Sequence, residues 1–359
     1  MNRETSIYLD LVRIAAASLV FLSHASWQQN SGGVLWQLQG HGREAVDVFF
    51  VLSGFVIGHV VETREHSALT YTVHRAARVW SVALPALLIT FALDRAGQSL
   101  RPELYQEWCC EAHHGGIWSF VAGAFFLNDI WTHHAPPGSN VPYWSLGYEV
   151  WYYVAFGVAV FARPPWHLLG PVLVMAAVGP GIAALFPLWL LGRLCYRLCV
   201  RHVPGPRFGA MLLALGIVGF AVYETEAVRY HEIYDPFELT PTRLHDYALD
   251  HLVGVLFAVH LLGFRALSAT VPGMLDRLAG PARWLGGATF TLYLLHLPLI
   301  HALVAVSPWP VTSWATRGLV FMAPPVIVLA LAEVTERRKH AWRERLAGLL
   351  RLAVRATSG

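Results

Sequence analysis

The stretch "LDLVRIAAASLVFLSHAS" (9–26) is apolar enough for a membrane, yet it holds Arg13 and His24. An arginine near a bilayer centre costs about 2.5–3.5 kcal/mol, so one that persists faces protein, water or a ligand. The two residues are eleven positions apart; at 3.6 residues per turn that is about three turns, which puts both side chains on one helix face roughly 16 Å apart. A guanidinium offers charge-assisted, bidentate hydrogen bonds to anions such as phosphate. An imidazole titrates near neutral pH and can take or give a proton. One helix stripe therefore joins an anion-holding group to a proton-handling one.

The elements that must carry this stripe follow from composition. Of 359 residues, 55% are hydrophobic and only 14% charged, whereas a soluble domain carries about 25% charged residues. Mean hydropathy is +0.47. These values exclude a soluble globular class and indicate an integral membrane protein. Apolar runs predict spans near 7–27, 44–61, 79–94, 144–162, 166–186, 187–200, 208–223, 248–264, 284–306 and 317–334, each weighed against a hydrocarbon core about 30 Å thick. The expected class is all-α, a polytopic membrane helix bundle of about ten transmembrane helices. "IWSFVAGAFFLNDIW" (117–131) reads as a re-entrant or interfacial segment. An eleventh crossing there would reverse every later loop and turn the arginines from Arg193 to Arg207 outward.

Charge sets the orientation. With the N-terminus inside, nineteen of the 26 basic residues fall on the inner side and six on the outer, with Arg13 in a helix. The positive-inside rule then places both termini in the cytoplasm. Residues 1–335 form the expected membrane domain, and 336–359 a basic amphipathic tail on the inner membrane surface. No appended soluble domain and no internal repeat are expected. The four cysteines form no disulfide framework, and "CCEAHH" (109–114) fits no common zinc spacing. No metal is expected. Cys195 and Cys199 read as lipid-facing or core residues, and His133 and His134 as solvated loop residues.

On this orientation the polar positions sort by depth. Arg13, Arg75 and Arg78 gather at the inner mouth, suited to a phosphate-bearing ligand. His24, Asp47, Ser145 and Glu149 lie toward the outer side, where an imidazole and carboxylates suit general-base chemistry. Tyr293 and His296 fall at mid-depth. Each has a plainer alternative: Arg75 and Arg78 as positive-inside anchors, Asp10 as the structural partner of Arg13, Asp47 paired with a neighbouring helix, His296 as a satisfied core histidine, Trp144 in an aromatic belt. Gly54 and Gly58 suit either a channel wall or helix packing. The acidic, aromatic stretch 224–246 reads as an outer loop, either plainly solvated or helping to hold an acceptor.

The ordered set "R-x10-H" from Arg13 to His24, "VDVFFVLSGFVIG" (46–58), "RAAR" (75–78), "WSLGYEVWYY" (144–153) and "YLLHLPL" (293–299) resembles the acyltransferase-3 family of integral membrane acyltransferases. The resemblance implies an enzyme of a bacterial inner (plasma) membrane. Its donor would be cytoplasmic acyl-CoA, with acetyl-CoA preferred, and its acceptor a hydroxyl on a carbohydrate or glycolipid at the outer face, as in O-acetylation of a polysaccharide. By the same resemblance Arg13, Arg75 and Arg78 would bind the CoA phosphates, and His24 would be the essential histidine, as general base or transient acyl carrier. Glu149 would assist it, with Asp47 as a further catalytic candidate, and Trp144, Ser145, Tyr293 and His296 would contact substrate. Membrane lipid is an expected partner and nucleic acid is not. The competing class is a glycolipid transporter or flippase, in which the buried arginine binds a phosphate and His24 relays protons without transfer chemistry. On the orientation above, a cysteine introduced into 224–246 is expected to react with an impermeant thiol reagent on intact cells; protection there, with reaction only in inverted vesicles, would reverse the depth map.

Overall fold

The structure is a computed structural model that describes residues 1–109, 116–131, 134–227 and 241–357. Among the described residues every regular element is helical. In chain order these are α1 (Arg3–Ala25), α2 (Gln28–Ser31), α3 (Gly42–Thr63), α4 (Ala68–Leu100), α5 (Pro102–Cys109), α6 (Ile117–Ala124), α7 (Trp144–Phe161) and α8 (Trp166–Val178). There follow α9 (Pro180–Arg201), α10 (Pro206–Ala227), α11 (Pro241–Ser268), α12 (Ala279–Gly286), α13 (Thr289–Val306), α14 (Trp314–Ala332) and α15 (Lys339–Thr357). Side-chain caps fix several starts: Asn2 accepts from the Thr5 amide on α1, Ser67 from Thr70 on α4 and Ser313 from Thr316 on α14, each satisfying an otherwise orphaned N–H.

Eight helices among the described residues are long and apolar enough to cross a membrane, rather than the ten expected. The shortfall lies in α7 and α8. Polar and aromatic side chains, Glu149 among them, fill the first half of α7, and α8 has 13 residues, about 20 Å of helix against a core of about 30 Å. The expected boundary at 186/187 is also displaced. Pro187 is interior to α9, and the chain turns at Gly179 (φ 99°) before Pro180, because glycine accepts the left-handed backbone and proline at a first helical position sacrifices no hydrogen bond. Segment 117–131 makes no crossing. Its helix α6 has eight residues, and Trp118, Phe125 and Trp131 remain exposed along it.

Contacts at the two ends show which loops share a side. At one end Asn2 bonds Ser268 (3.1 Å), Glu4 accepts from the Gly273 amide (2.7 Å) and Glu336 from the Phe290 amide (3.0 Å), so the chain start and the segment leading into α15 lie together. At the other end Arg43 of α3 grips Asp250 of α11 at 2.5 and 2.6 Å, and Arg317 reaches the Ser31 carbonyl at 2.9 Å.

Within the bundle α3 packs on α1, α9 and α11, and α13 on α1, α4 and α14. The α3–α9 crossing is backbone to backbone: a Cβ on Gly54 would stand 1.8 Å from the Trp189 carbonyl oxygen, and one on Gly192 1.9 Å from that of Val51. Such close approach is the small-residue packing of membrane helices, so helix packing accounts for Gly54. Replacing Gly54 with leucine is expected to lower stability by about 1–3 kcal/mol or more, read as a fall in melting temperature of the detergent-purified protein; an unchanged melt would mean the crossing is not this tight.

Candidate active site

A cleft of about 1210 Å³, counted out to its open mouth, opens at the end that carries the chain start. Its walls come from five long elements and the tail: Arg13 on α1, Ser53 and Val56 on α3, Arg75 and Arg78 on α4, Ser145, Glu149 and Tyr153 on α7, Phe290 and Tyr293 on α13, and Lys339 and Arg343 on α15. Among its lining residues are five cations and one carboxylate, Glu149. The three arginines marked in the sequence are thus brought together, although they are 62 and 65 residues from Arg13 along the chain.

Each arginine is held. Arg13 pairs with Asp10 one turn before it at 3.1 Å, which adopts the structural partnership anticipated for that aspartate. Arg75 donates to Glu65 at 2.9 Å, and that carboxylate, 2% exposed, also takes His74 at 2.6 Å. The Arg75 guanidinium lies 5.8 Å from the ring centroids of both Tyr71 and Tyr153, and Arg78 sits 5.9 Å from that of Phe290, contacts in which an aromatic face stabilises a cation. Glu149 accepts from Tyr153 at 2.5 Å and faces Arg13 and Arg78. It stands with the arginines, so the expected pairing of Glu149 with His24 is not the one the fold makes.

His24 lies further along α1, beyond the cleft. Its Nδ1 is 2.8 Å from the Val20 carbonyl and 3.2 Å from Nε2 of His296, and its ring packs 4.7 Å from Trp27. The protons can be assigned from these partners. His296 Nδ1 faces the carbonyls of Tyr293 (2.8 Å) and Leu292 (3.1 Å); carbonyls only accept, so in the neutral ring Nδ1 holds the hydrogen and Nε2 a lone pair. His24 Nδ1 therefore meets two acceptors and carries its own hydrogen, which leaves Nε2 of His24 as the basic nitrogen. His296 orients the ring as a carboxylate does elsewhere. The two regions meet at Tyr293: its hydroxyl bonds Ser145 at 2.6 Å in the cleft wall, and its ring centroid is 6.2 Å from that of His296.

Other expected site residues lie elsewhere. Asp47 is 2% exposed and sits beside Asp250 and Arg43 at the opposite end. Trp144 packs on Phe50 and Tyr148 while its neighbour Ser145 lines the cleft. Cys195 and Cys199 are core residues. His134 is paired with Asp129 at 2.6 Å rather than solvated alone. His133, Cys110, His113, His114 and most of 224–246 lie outside the described residues. His41, Glu44 and Glu224 bring ligand-type atoms within 4.8 Å of one another, an ion-pair cluster at the Arg43 end. Sequence reasoning missed Tyr153, Lys339 and Arg343 as cleft residues, and Glu65 as the partner of Arg75 behind the cleft wall. Only Lys339 carried a signal, as the sole lysine in the chain.

The family model described as an acyltransferase domain matches residues 6–332, and the chain belongs to that acyltransferase-3 family. Among curated proteins it is similar to acyltransferase MdmB of Streptomyces mycarofaciens, 29% identical over 187 residues, 48% of this chain and 43% of that protein. It is also similar to the exopolysaccharide production protein ExoZ of Rhizobium meliloti (strain 1021), 24% identical over 288 residues, 71% of this chain and 75% of that one. The chain thus spans less than half the length of the first relative and about three quarters of the second. No solved structure matches. From the placement of Arg43 between two buried carboxylates, Arg43→Met is expected to cost about 3–5 kcal/mol of stability, measured as a lowered melting temperature; a melt like that of the native protein would mean the cluster is already neutral.

Proposed function

We propose that this protein is a membrane O-acyltransferase that takes an acyl group, preferably acetyl, from acyl-CoA and delivers it to a hydroxyl of a carbohydrate or glycolipid. The observation that carries the reading is a cleft of five cations whose inner wall, Tyr293, borders the His24–His296 pair. On this reading the end bearing both termini faces the cytoplasm, in a bacterial inner membrane, and Arg13, Arg75 and Arg78 hold the CoA diphosphate. Guanidinium forks match phosphate oxygens and bind them with charge-assisted hydrogen bonds. The thioester arm then points toward Ser145 and Tyr293, and its passage to His24 requires the hydrogen bond between those two residues to open.

In the transfer itself the acceptor oxygen attacks the thioester carbonyl carbon. Its proton passes to Nε2 of His24, the C–O bond forms, the C–S bond breaks, and the CoA thiolate recovers the proton from the imidazolium. Glu149, standing among the cations, offsets part of their charge when the cleft is empty. The name of ExoZ, with its printed role in exopolysaccharide production, supports a carbohydrate acceptor. Membrane lipid surrounds the apolar helices and glycolipid can reach the site from the same bilayer.

The reading is tested with inverted vesicles, radiolabelled acetyl-CoA and candidate glycans. His24→Ala is expected to lower turnover roughly 10²–10⁴-fold with little change in the KM for acetyl-CoA, whereas Arg78→Ala raises that KM. His296→Phe lowers turnover without moving the KM, because it frees the His24 tautomer and leaves donor binding intact. Labelled glycan formed equally well by His24→Ala removes that residue from the chemistry. An unlabelled acceptor that crosses the bilayer would favour a flippase.

A further inference from the structure

We infer that the basic tail helix α15 is part of the donor site: Lys339 and Arg343 form a second phosphate subsite at the cleft mouth, suited to the 3′-phosphate of CoA. This rests on the donor reading above and adds the partner for a second, separate phosphate. Both residues lie beyond the 6–332 span that the family model matches.

A basic amphipathic helix after the last span ordinarily lies on the membrane surface, its cations among lipid headgroups. Here the start of the helix is pinned over the cleft instead. Glu336 accepts from the Phe290 and Thr291 amides at 3.0 and 3.3 Å, capping α13, and Thr335 bonds Thr291 at 3.0 Å. Arg337 reaches the Trp284 carbonyl at 2.8 Å and stands 4.7 Å from that indole ring. These three residues, with the packing of α15 on α4, fix where Lys339 and Arg343 begin.

The charges then point to an anion. Lys339 faces Arg78, Arg13 and Arg343 and two carboxylates, Glu336, whose oxygen already serves two amides, and Asp10, which already holds Arg13. The Arg343 Nε is buried with no hydrogen-bond partner, as is that of Arg75. Like charges gathered in a partly desolvated cleft repel one another unless an anion enters. The deeper arginines suit the diphosphate, which is covalently next to the thioester arm. The cations on α15 stand at the mouth, where the ribose end of the nucleotide would remain. A lysine and an arginine there match a phosphomonoester, whose charge at neutral pH approaches −2. An anionic lipid headgroup presents related chemistry from another source.

The test uses the full chain in neutral phosphatidylcholine nanodiscs, with binding of CoA and of 3′-dephospho-CoA measured by calorimetry. The native protein is expected to prefer CoA roughly ten- to a hundredfold, the span of one or two charge-assisted contacts. Lys339→Ala and Arg343→Ala are expected to lose most of that preference while binding 3′-dephospho-CoA as before, and Lys339→Arg to keep it. If native protein binds both compounds alike, or the alanine variants weaken both equally, the subsite is overturned and the donor reading stands. Native protein that binds neither compound overturns the donor reading itself. Alanine variants that keep the CoA preference but lose co-purified phosphatidylglycerol, read by mass spectrometry, would assign these cations to a headgroup and overturn the subsite.

Discussion

Five cations at one end of an apolar bundle repel one another and each loses hydration, so the fold has to supply counter-charge where they meet. Asp10, Glu65, Glu149 and Glu336 do so from α1, from the turn between α3 and α4, from α7 and from the segment that precedes α15. Because each carboxylate rides on a different element, neutralising the arginines also fixes how those elements converge. Only Glu149 lines the cleft itself; the others bind from behind. That leaves the open side of the cluster positive.

The second constraint is backbone rather than charge. Residues 125–131 and 134–140 run without regular helix between α6 and α7, and non-helical backbone within a membrane protein is tolerated only where protein or water satisfies its polar groups. The contacts here come from protein. Trp80 donates to the Ala124 carbonyl at 3.1 Å, Tyr143 to that of Gly123 at 3.0 Å and Trp151 to that of Phe126 at 2.9 Å. Asn140 reaches the Leu294 carbonyl at 2.8 Å, and Asp94 takes both the amide and the hydroxyl of Ser139. Gly138 has φ 57°, and a Cβ there would meet Asp94 at 2.0 Å, so the turn needs glycine on both counts. This anchored segment delivers Ser145 and Glu149 to the cleft from α7, although α7 and α8 fall short of crossing alone.

Separation of tasks follows from the two constraints. The cations are concentrated near the end with the chain start, and the imidazole pair sits further along the same helix, with Tyr293 touching both regions. The hydrogen bond between Tyr293 and Ser145 lies between them, which keeps the charged cleft and the histidines as distinct compartments in this conformation. His24 is oriented by a second imidazole and by the Val20 carbonyl, so its basic nitrogen is set by acceptors and needs no carboxylate. In the neutral form that arrangement leaves Nε2 available without burying another charge.

Periodicity and composition were enough to read the helical class, most span positions and the stripe from Arg13 to His24, because these depend on local spacing and on what a bilayer excludes. The break at Gly179–Pro180 was misplaced by several residues, since an interior proline and a boundary proline look alike until the backbone turns. Pairings across the fold were less legible. Asp47 and Glu149 both read as carboxylates near His24, but helix rotation and tilt put one against Arg43 and the other among the arginines. Lys339 and Arg343 read as a surface tail, and only the Glu336 cap on α13 decided that they line the cleft. The sequence by itself determined which groups must be shielded from lipid, through their cost in hydrocarbon; the tertiary structure decided which of them meet, because contacts between helices depend on close packing and charge balance that no single segment encodes.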